Sequence, residues 1–405
     1  MKTYPGTGRG VLLAIACCAC TSAAHGDAGD VFNVSVSQTL THDDNLFRLP
    51  AGVSPSTGGG STSRSDTISQ TGVRLTADKP VGRQVLHAAI GMTNVRYDRH
   101  RQLDGELTNY SASWDWTLGH LWTGALSWSR AQTIPGFSDY RAPVRDIVTT
   151  DAAAARAVLR LHPDWRLTFG AGSSQAAHSA SVNAVGDSRV DSAETGVRYV
   201  PGTGKEFGLR LRHAEGSYPN RQQVGASLID NGYREDGLDF DVIWQFSGAS
   251  NFQGAIGQTR RSHNDVPGRD FSGTTGRLNW NWLPTGQTSF GFGARREIGA
   301  QDDLVATYTV TDAITVSAGW QPTAKLSFSA TGELKQRDQQ GDPASFVGGA
   351  PNRRDDDRIV SLGVGYAAMR DLRLSLSLRE ERRESNLTTS SYRTRQLALA
   401  ATFAF

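Results

Sequence analysis

The stretch YRTRQLALAATFAF, Tyr392 to Phe405, decides the fold. Steps of two place Leu397, Leu399, Ala401, Phe403 and Phe405 on one side. Gln396, Ala398, Ala400, Thr402 and Ala404 fall on the other. Period-two alternation marks a strand with one apolar face. On a soluble sheet such a bare face is an aggregation hazard. Against lipid it is stable, provided the strand belongs to a closed barrel in which every backbone donor and acceptor has a neighbour.

The same alternation recurs upstream. Leu238, Phe240, Val242, Trp244 and Phe246 form its clearest instance, and Leu372, Leu374, Leu376 and Leu378 another. About 18 such segments follow one another, so the spacing predicts an all-β chain: a transmembrane antiparallel up-and-down β-barrel of 16–18 strands. Connectors alternate in length. Short ones are expected at 78–82, 119–121, 162–164, 201–204, 247–250, 284–287, 321–324 and 369–371. Long polar ones are expected at 45–66, 98–106, 132–150, 178–189, 216–235, 261–270, 297–304, 336–356 and 383–391. A barrel with both termini in the periplasm requires this pattern of tight turns inside and long loops outside. Trp116, Trp122, Trp165, Tyr199, Trp244, Trp282, Trp320 and Tyr366 gather beside the short turns, as an aromatic belt at lipid headgroups does. The ending in Phe403 and Phe405 resembles the C-terminal signal of bacterial outer-membrane barrels, which implies the barrel assembly machinery as a partner.

Residues 1–26 read as a cleaved secretory signal. Lys2 and Arg9 precede an apolar run, 10–20, that is too short for a membrane helix, and small residues flank the cut. Cys17, Cys18 and Cys20 are the only cysteines and all lie in that segment, so no disulfide or thiol chemistry is expected in 27–405, taken as one barrel domain. Cleavage removes two of the 42 basic residues and none of the 40 acidic ones, taking the formal charge from +2 to zero. A neutral chain argues against nucleic acid as a partner.

With the apolar faces toward lipid, the alternate positions line the lumen. They include Arg166, Arg198, Arg210, Arg212, Asp239, Asp241, Arg277, Arg373 and Arg379, the candidate substrate contacts. Serine, threonine and asparagine fall between them, at Ser327, Ser329, Ser375 and Ser377 for example. Such a wall offers hydrogen bonds to hydroxyl-rich solutes, or it braces itself through arginine–carboxylate pairs. No metalloprotease, serine-hydrolase or paired metal-ligand spacing is present, and 201–206 lacks the Ser or Thr of a phosphate loop. No enzyme, cofactor or metal is therefore expected. The acid pairs Asp43–Asp44 and Asp302–Asp303 and the run Asp355–Asp357 read as solvated loop acids or weak cation sites near lipopolysaccharide.

After the first strand comes THDDNLFRLP, Thr41 to Pro50. Its Asp43, Asp44, Asn45, Leu46, Phe47 and Arg48 resemble the corresponding segment of EpsL-type outer-membrane proteins from exosortase-associated exopolysaccharide operons. The resemblance implies an outer-membrane location and export of an exopolysaccharide chain. Implied partners are lipopolysaccharide and the periplasmic and inner-membrane synthesis and export proteins. Two alternatives are a general diffusion porin and a structural or glycan-modifying barrel. Residues 43–45 suit the end of a strand, and Phe47 is placed to anchor the first long loop against the lumen or rim.

Overall fold

The computed structural model describes residues 31–55, 61–138, 143–224, 227–265, 270–300, 308–340 and 352–405. Residues 1–26, expected to be a signal, and Asp302–Asp303 lie outside them. The first strands are β1 (Phe32–Asp43), β2 (Asp66–Val81), β3 (Gln84–Tyr97), β4 (Gly105–Leu118) and β5 (Trp122–Thr133). β6 (Val148–His162), β7 (Trp165–His178), β8 (Ser188–Gly202) and β9 (Lys205–Ser217) follow. A small hairpin, β10 (Gln222–Val224) and β11 (Ser227–Ile229), sits within the next loop. The wall resumes with β12 (Tyr233–Ser247), β13 (Ser250–His263), β14 (Phe271–Trp282), β15 (Thr288–Ala300) and β16 (Tyr308–Trp320). It ends with β17 (Leu326–Gln340), β18 (Arg354–Ala367), β19 (Leu372–Ser385) and β20 (Tyr392–Ala404).

Each wall strand pairs antiparallel with its neighbours, and β9 pairs with β12 across the hairpin loop. β20 returns to β1 in register from Ser35↔Ala404 to Asp43↔Gln396, closing an 18-stranded barrel. The Phe405 amide donates to Val34 O at 2.8 Å, so the closing seam is bonded to its last residue.

Register turns sequence alternation into a continuous outer surface. Leu376 lies opposite Leu399, which lies opposite Leu40, and all three are exposed. Their apolar surface faces outward, where only lipid can cover it. Leu399→Arg should therefore destabilise the folded barrel by about 2–4 kcal/mol in bilayers. Denaturant titration in lipid vesicles checks this, and an unchanged midpoint would mean that the face is not membrane-embedded. At the short-turn end the exposed rings of Trp165, Tyr199, Trp282, Trp320 and Tyr366 form the expected belt. Lys205 caps the Trp244 ring at 5.2 Å.

Strand ends run further than the apolar pattern suggests. Residues 78–81, expected as a turn, belong to β2, and only Gly82 and Arg83 turn. Gly82 does so with a positive φ of 62°. At the other end β17 reaches Gln340, β18 starts at Arg354 and β19 reaches Ser385, inside segments expected as loops. A 15-residue strand such as β17 spans about 50 Å, or about 38 Å of height at a 40° tilt, against an apolar band of about 25 Å. The surplus projects past the band on the long-loop side. On β17, β18 and β19 both strand faces are polar there, while backbone pairing continues.

Candidate functional site: a constricted, arginine-rich lumen

The barrel encloses a cavity of 2940 Å³. Loop side chains narrow it at the long-loop end. Phe47, 1% exposed, packs edge-on against Phe137 at 4.7 Å and His100 at 4.8 Å. Leu46, Val95, Tyr97 and Leu103 complete this apolar cluster inside the wall. Its loops are anchored by polar latches. Asp66 accepts the His100 ring nitrogen at 2.8 Å. The Arg383 guanidinium donates to Ser138 O at 3.0 Å. Ser138 follows β5, whereas Arg383 stands on β19, six pairings round the wall. That bond requires the β5–β6 loop to reach through the interior.

The same loop is tied to its neighbour through Asp146. His178, Asn183 and the Ala180 amide all donate to this carboxylate. Burial alone would raise the Asp146 pKa. The three donors outweigh burial and hold the carboxyl below its ordinary value.

The motif at 43–48 does two jobs. Asp43 accepts from Thr394 and Gln396, each at 2.8 Å, and pairs with Arg48 at 2.8 Å. Asp44 and Arg395 exchange two bonds, and the Asn45 amide donates to Arg393 O and Leu49 O. These contacts extend the β1–β20 seam beyond its last ladder pair. They also aim Leu46 and Phe47 inward. Burial would lower the Arg48 pKa; the Asp43 and Glu381 carboxylates keep it above its ordinary value, so Arg48 stays charged.

Two walls of ion pairs line the lumen. On β8–β13, Arg210 bridges Glu194, Asp239 and Asp241, and Arg212 bridges Glu235 and Asp239, at 2.8–3.4 Å. Arg261 pairs with Glu235 at 2.6 Å and lies over the Tyr233 ring. On β17–β20, Asp355 and Asp357 are wholly buried. Lys335, Arg337, Arg353 and Arg383 surround them, and Glu381 accepts from Arg379 and Tyr392. Asp355 and Asp357 are therefore neither loop acids nor a cation site, as the sequence suggested. Each faces guanidinium groups, because the polar strand end turns alternate acids inward. Asp43 is likewise buried and paired rather than solvated.

Every lumen candidate from the sequence sits on the inner wall. Arg198, Arg210, Arg212, Asp241, Arg277, Arg373 and Arg379 line the cavity. Arg166 joins Arg198 on Glu206, and Asp239 is buried beneath Arg210 and Arg212. Sequence reasoning missed Arg74, Arg156, Arg261, Arg295, Lys335, Arg337 and Arg383, which also line it. Among the described residues fifteen basic side chains line the cavity against eight acidic ones. The buried Asp239, Asp355 and Asp357 do not erase the excess. Arg74 and Arg277 make no ion pair with a described residue, and Arg277 stands opposite Arg295 in register. A lumen with such an excess holds a positive potential and attracts anions.

Comparisons with known proteins agree with this architecture. The sequence model of the family described as "Putative beta-barrel porin 2" matches residues 231–405. The structure of Pseudomonas aeruginosa OpdK with vanillate is similar at 10% identity and a TM-score of 0.51, covering 92% of this chain and 99% of that one. P. aeruginosa OccK2 (OpdF) in complex with glucuronate is similar at 11% identity and a TM-score of 0.52, covering 92% and 98%. P. aeruginosa OccK9 (OpdG) is similar at 11% identity and a TM-score of 0.51, covering 92% and 98%. No curated protein sequence matches. The fold is that of outer-membrane porins.

Proposed function

We propose that this chain is an outer-membrane diffusion porin that favours small anionic, hydroxyl-rich solutes. The observation that carries the reading is the basic excess of the lumen, with Arg74 and Arg277 making no ion pair among the described residues. Free guanidinium groups bind carboxylate or phosphate oxygens in bidentate fashion, and Ser, Thr and Asn between them accept or donate to hydroxyls. The inward loops favour small solutes over a polymer. The bound vanillate and glucuronate of the two similar structures are acids of this size, which supports the choice of solute class.

In planar bilayers under a potassium chloride gradient, the zero-current potential should carry the sign of anion preference. A cation-selective pore overturns the reading. The double variant Arg74→Glu/Arg277→Glu should lower the anion-to-cation permeability ratio about fivefold, because each reversal subtracts two charges from the field along the path.

A second reading, passage of an exopolysaccharide chain, rests on the 41–50 motif and the serine-lined wall of β17 and β19. It takes the synthesis and export proteins as partners. Deleting the gene separates the two: a conduit leaves polymer in the periplasm, whereas a small-solute porin leaves it at the surface. Both readings place the barrel among lipopolysaccharide in the outer membrane, delivered by the barrel assembly machinery through Phe403 and Phe405.

A further inference from the structure

Above the apolar band the outer face carries a belt of charge. At three places round the wall this belt neutralises itself across strands. Arg130 lies opposite Asp151, Arg234 opposite Glu215, Arg260 opposite Asp236 and Arg296 opposite Asp312. On β18–β20 the register does the reverse. Arg358 lies opposite Arg382, which lies opposite Arg393. All three are exposed. Directly opposed side chains have Cβ atoms about 5 Å apart, and like charges there repel. The local acids relieve the row only in part. Arg382 pairs with Glu384, and Arg393 shares Glu380 with Arg395. Arg358 makes no ion pair with a described residue, and the acid on its own strand face, Asp356, stands two residues further along.

The row has a fixed place against the membrane-facing surface. Val360 is two residues below Arg358 on the same outer face, Leu378 lies two below Glu380, and Leu397 two below Arg395. Two residues are about 7 Å along a strand. A molecule that meets the arginines with a phosphate therefore reaches apolar protein surface two residues below Arg358, and four residues, about 14 Å, below Arg382 and Arg393, past Glu380 and Arg395.

We propose that Arg358, Arg382 and Arg393 form a docking row for the phosphate groups of an outer-leaflet phosphoglycolipid. Guanidinium forks suit phosphate geometry, and neutralising three in-register cations removes the repulsion the fold otherwise carries. A free phosphate ion satisfies only the charge, whereas a lipid also covers Val360, Leu378 and Leu397. The proposal rests on the outer-membrane reading, and its test separates the two.

The full barrel, refolded into vesicles, is extracted with detergent and titrated with bis-phosphorylated lipid A or with the same lipid stripped of phosphate. Bound lipid is counted by native mass spectrometry. The wild type should prefer the phosphorylated lipid by about tenfold. The preference should survive EDTA, because guanidinium groups need no bridging cation. The variant R358Q/R382Q/R393Q should lose it, and the control R130Q/R234Q/R296Q should keep it. Equal binding of the two lipids, equal loss in both variants, or abolition by EDTA overturns the docking row. A barrel that inserts into vesicles and shows any of these results overturns the row alone. A chain that stays in solution overturns the membrane reading and the row with it.

Discussion

Phe47→Ala should at least double the single-channel conductance of the reconstituted barrel. Phe47 is the hub of the apolar cluster inside the lumen, touching both Phe137 and His100. Truncating a buried phenylalanine costs about 3–5 kcal/mol of local packing. That loss falls on the loops rather than on the wall, because strand pairing is complete without them. The seam bonds of Asp43, Asp44 and Asn45 precede Phe47 and survive the change. The loop ends should therefore separate while the barrel still folds. An unaltered conductance in planar bilayers would show that this cluster does not bar the path.

Asp355→Ala should act on the wall instead. Asp355 is fully buried and faces Arg337, Arg353 and Arg383 at 3.4, 2.9 and 3.7 Å. Without it these guanidinium groups keep their charge and lose a shared partner, a change that costs about 3–5 kcal/mol in buried sites. The temperature at which the folded band disappears on unheated electrophoresis should fall. Anion preference should persist or rise, because a carboxylate has left an already basic lumen. A variant that melts like the wild type would mean that water, rather than Asp355, balances those charges. A fall in the first readout without a fall in the second separates bracing from permeation.

The sequence-derived fold and the structure agree where lipid sets the rule. A strand facing lipid must present apolar side chains at every second position, and this constraint is local. Leu397, Leu399 and Phe403 announce it without knowledge of their neighbours. Agreement stops where the strands leave the band. Above Leu397 the outer face turns to Arg395 and Arg393, and above Val360 to Arg358 and Asp356. Alternation of polarity vanishes there although pairing continues. Asp355 and Asp357 therefore read from sequence as loop acids, and nothing in the order of residues distinguishes Arg337 and Arg383. The only signal available was arginine and aspartate at matching parity on consecutive strands, and it acquires meaning only once register is known.

By itself, then, the order of residues determined that this chain is an antiparallel barrel of about 18 strands with an apolar exterior, a polar interior and loops on one side. Each of those properties is imposed strand by strand. Only the tertiary structure decided which arginines are held by carboxylates and which stand free. It likewise decided that Phe47 and Phe137 meet inside the wall, and that three arginines align at the outer rim. Those outcomes depend on contacts between residues far apart in the chain, set by the stagger of the sheet and by loops that reach across the lumen.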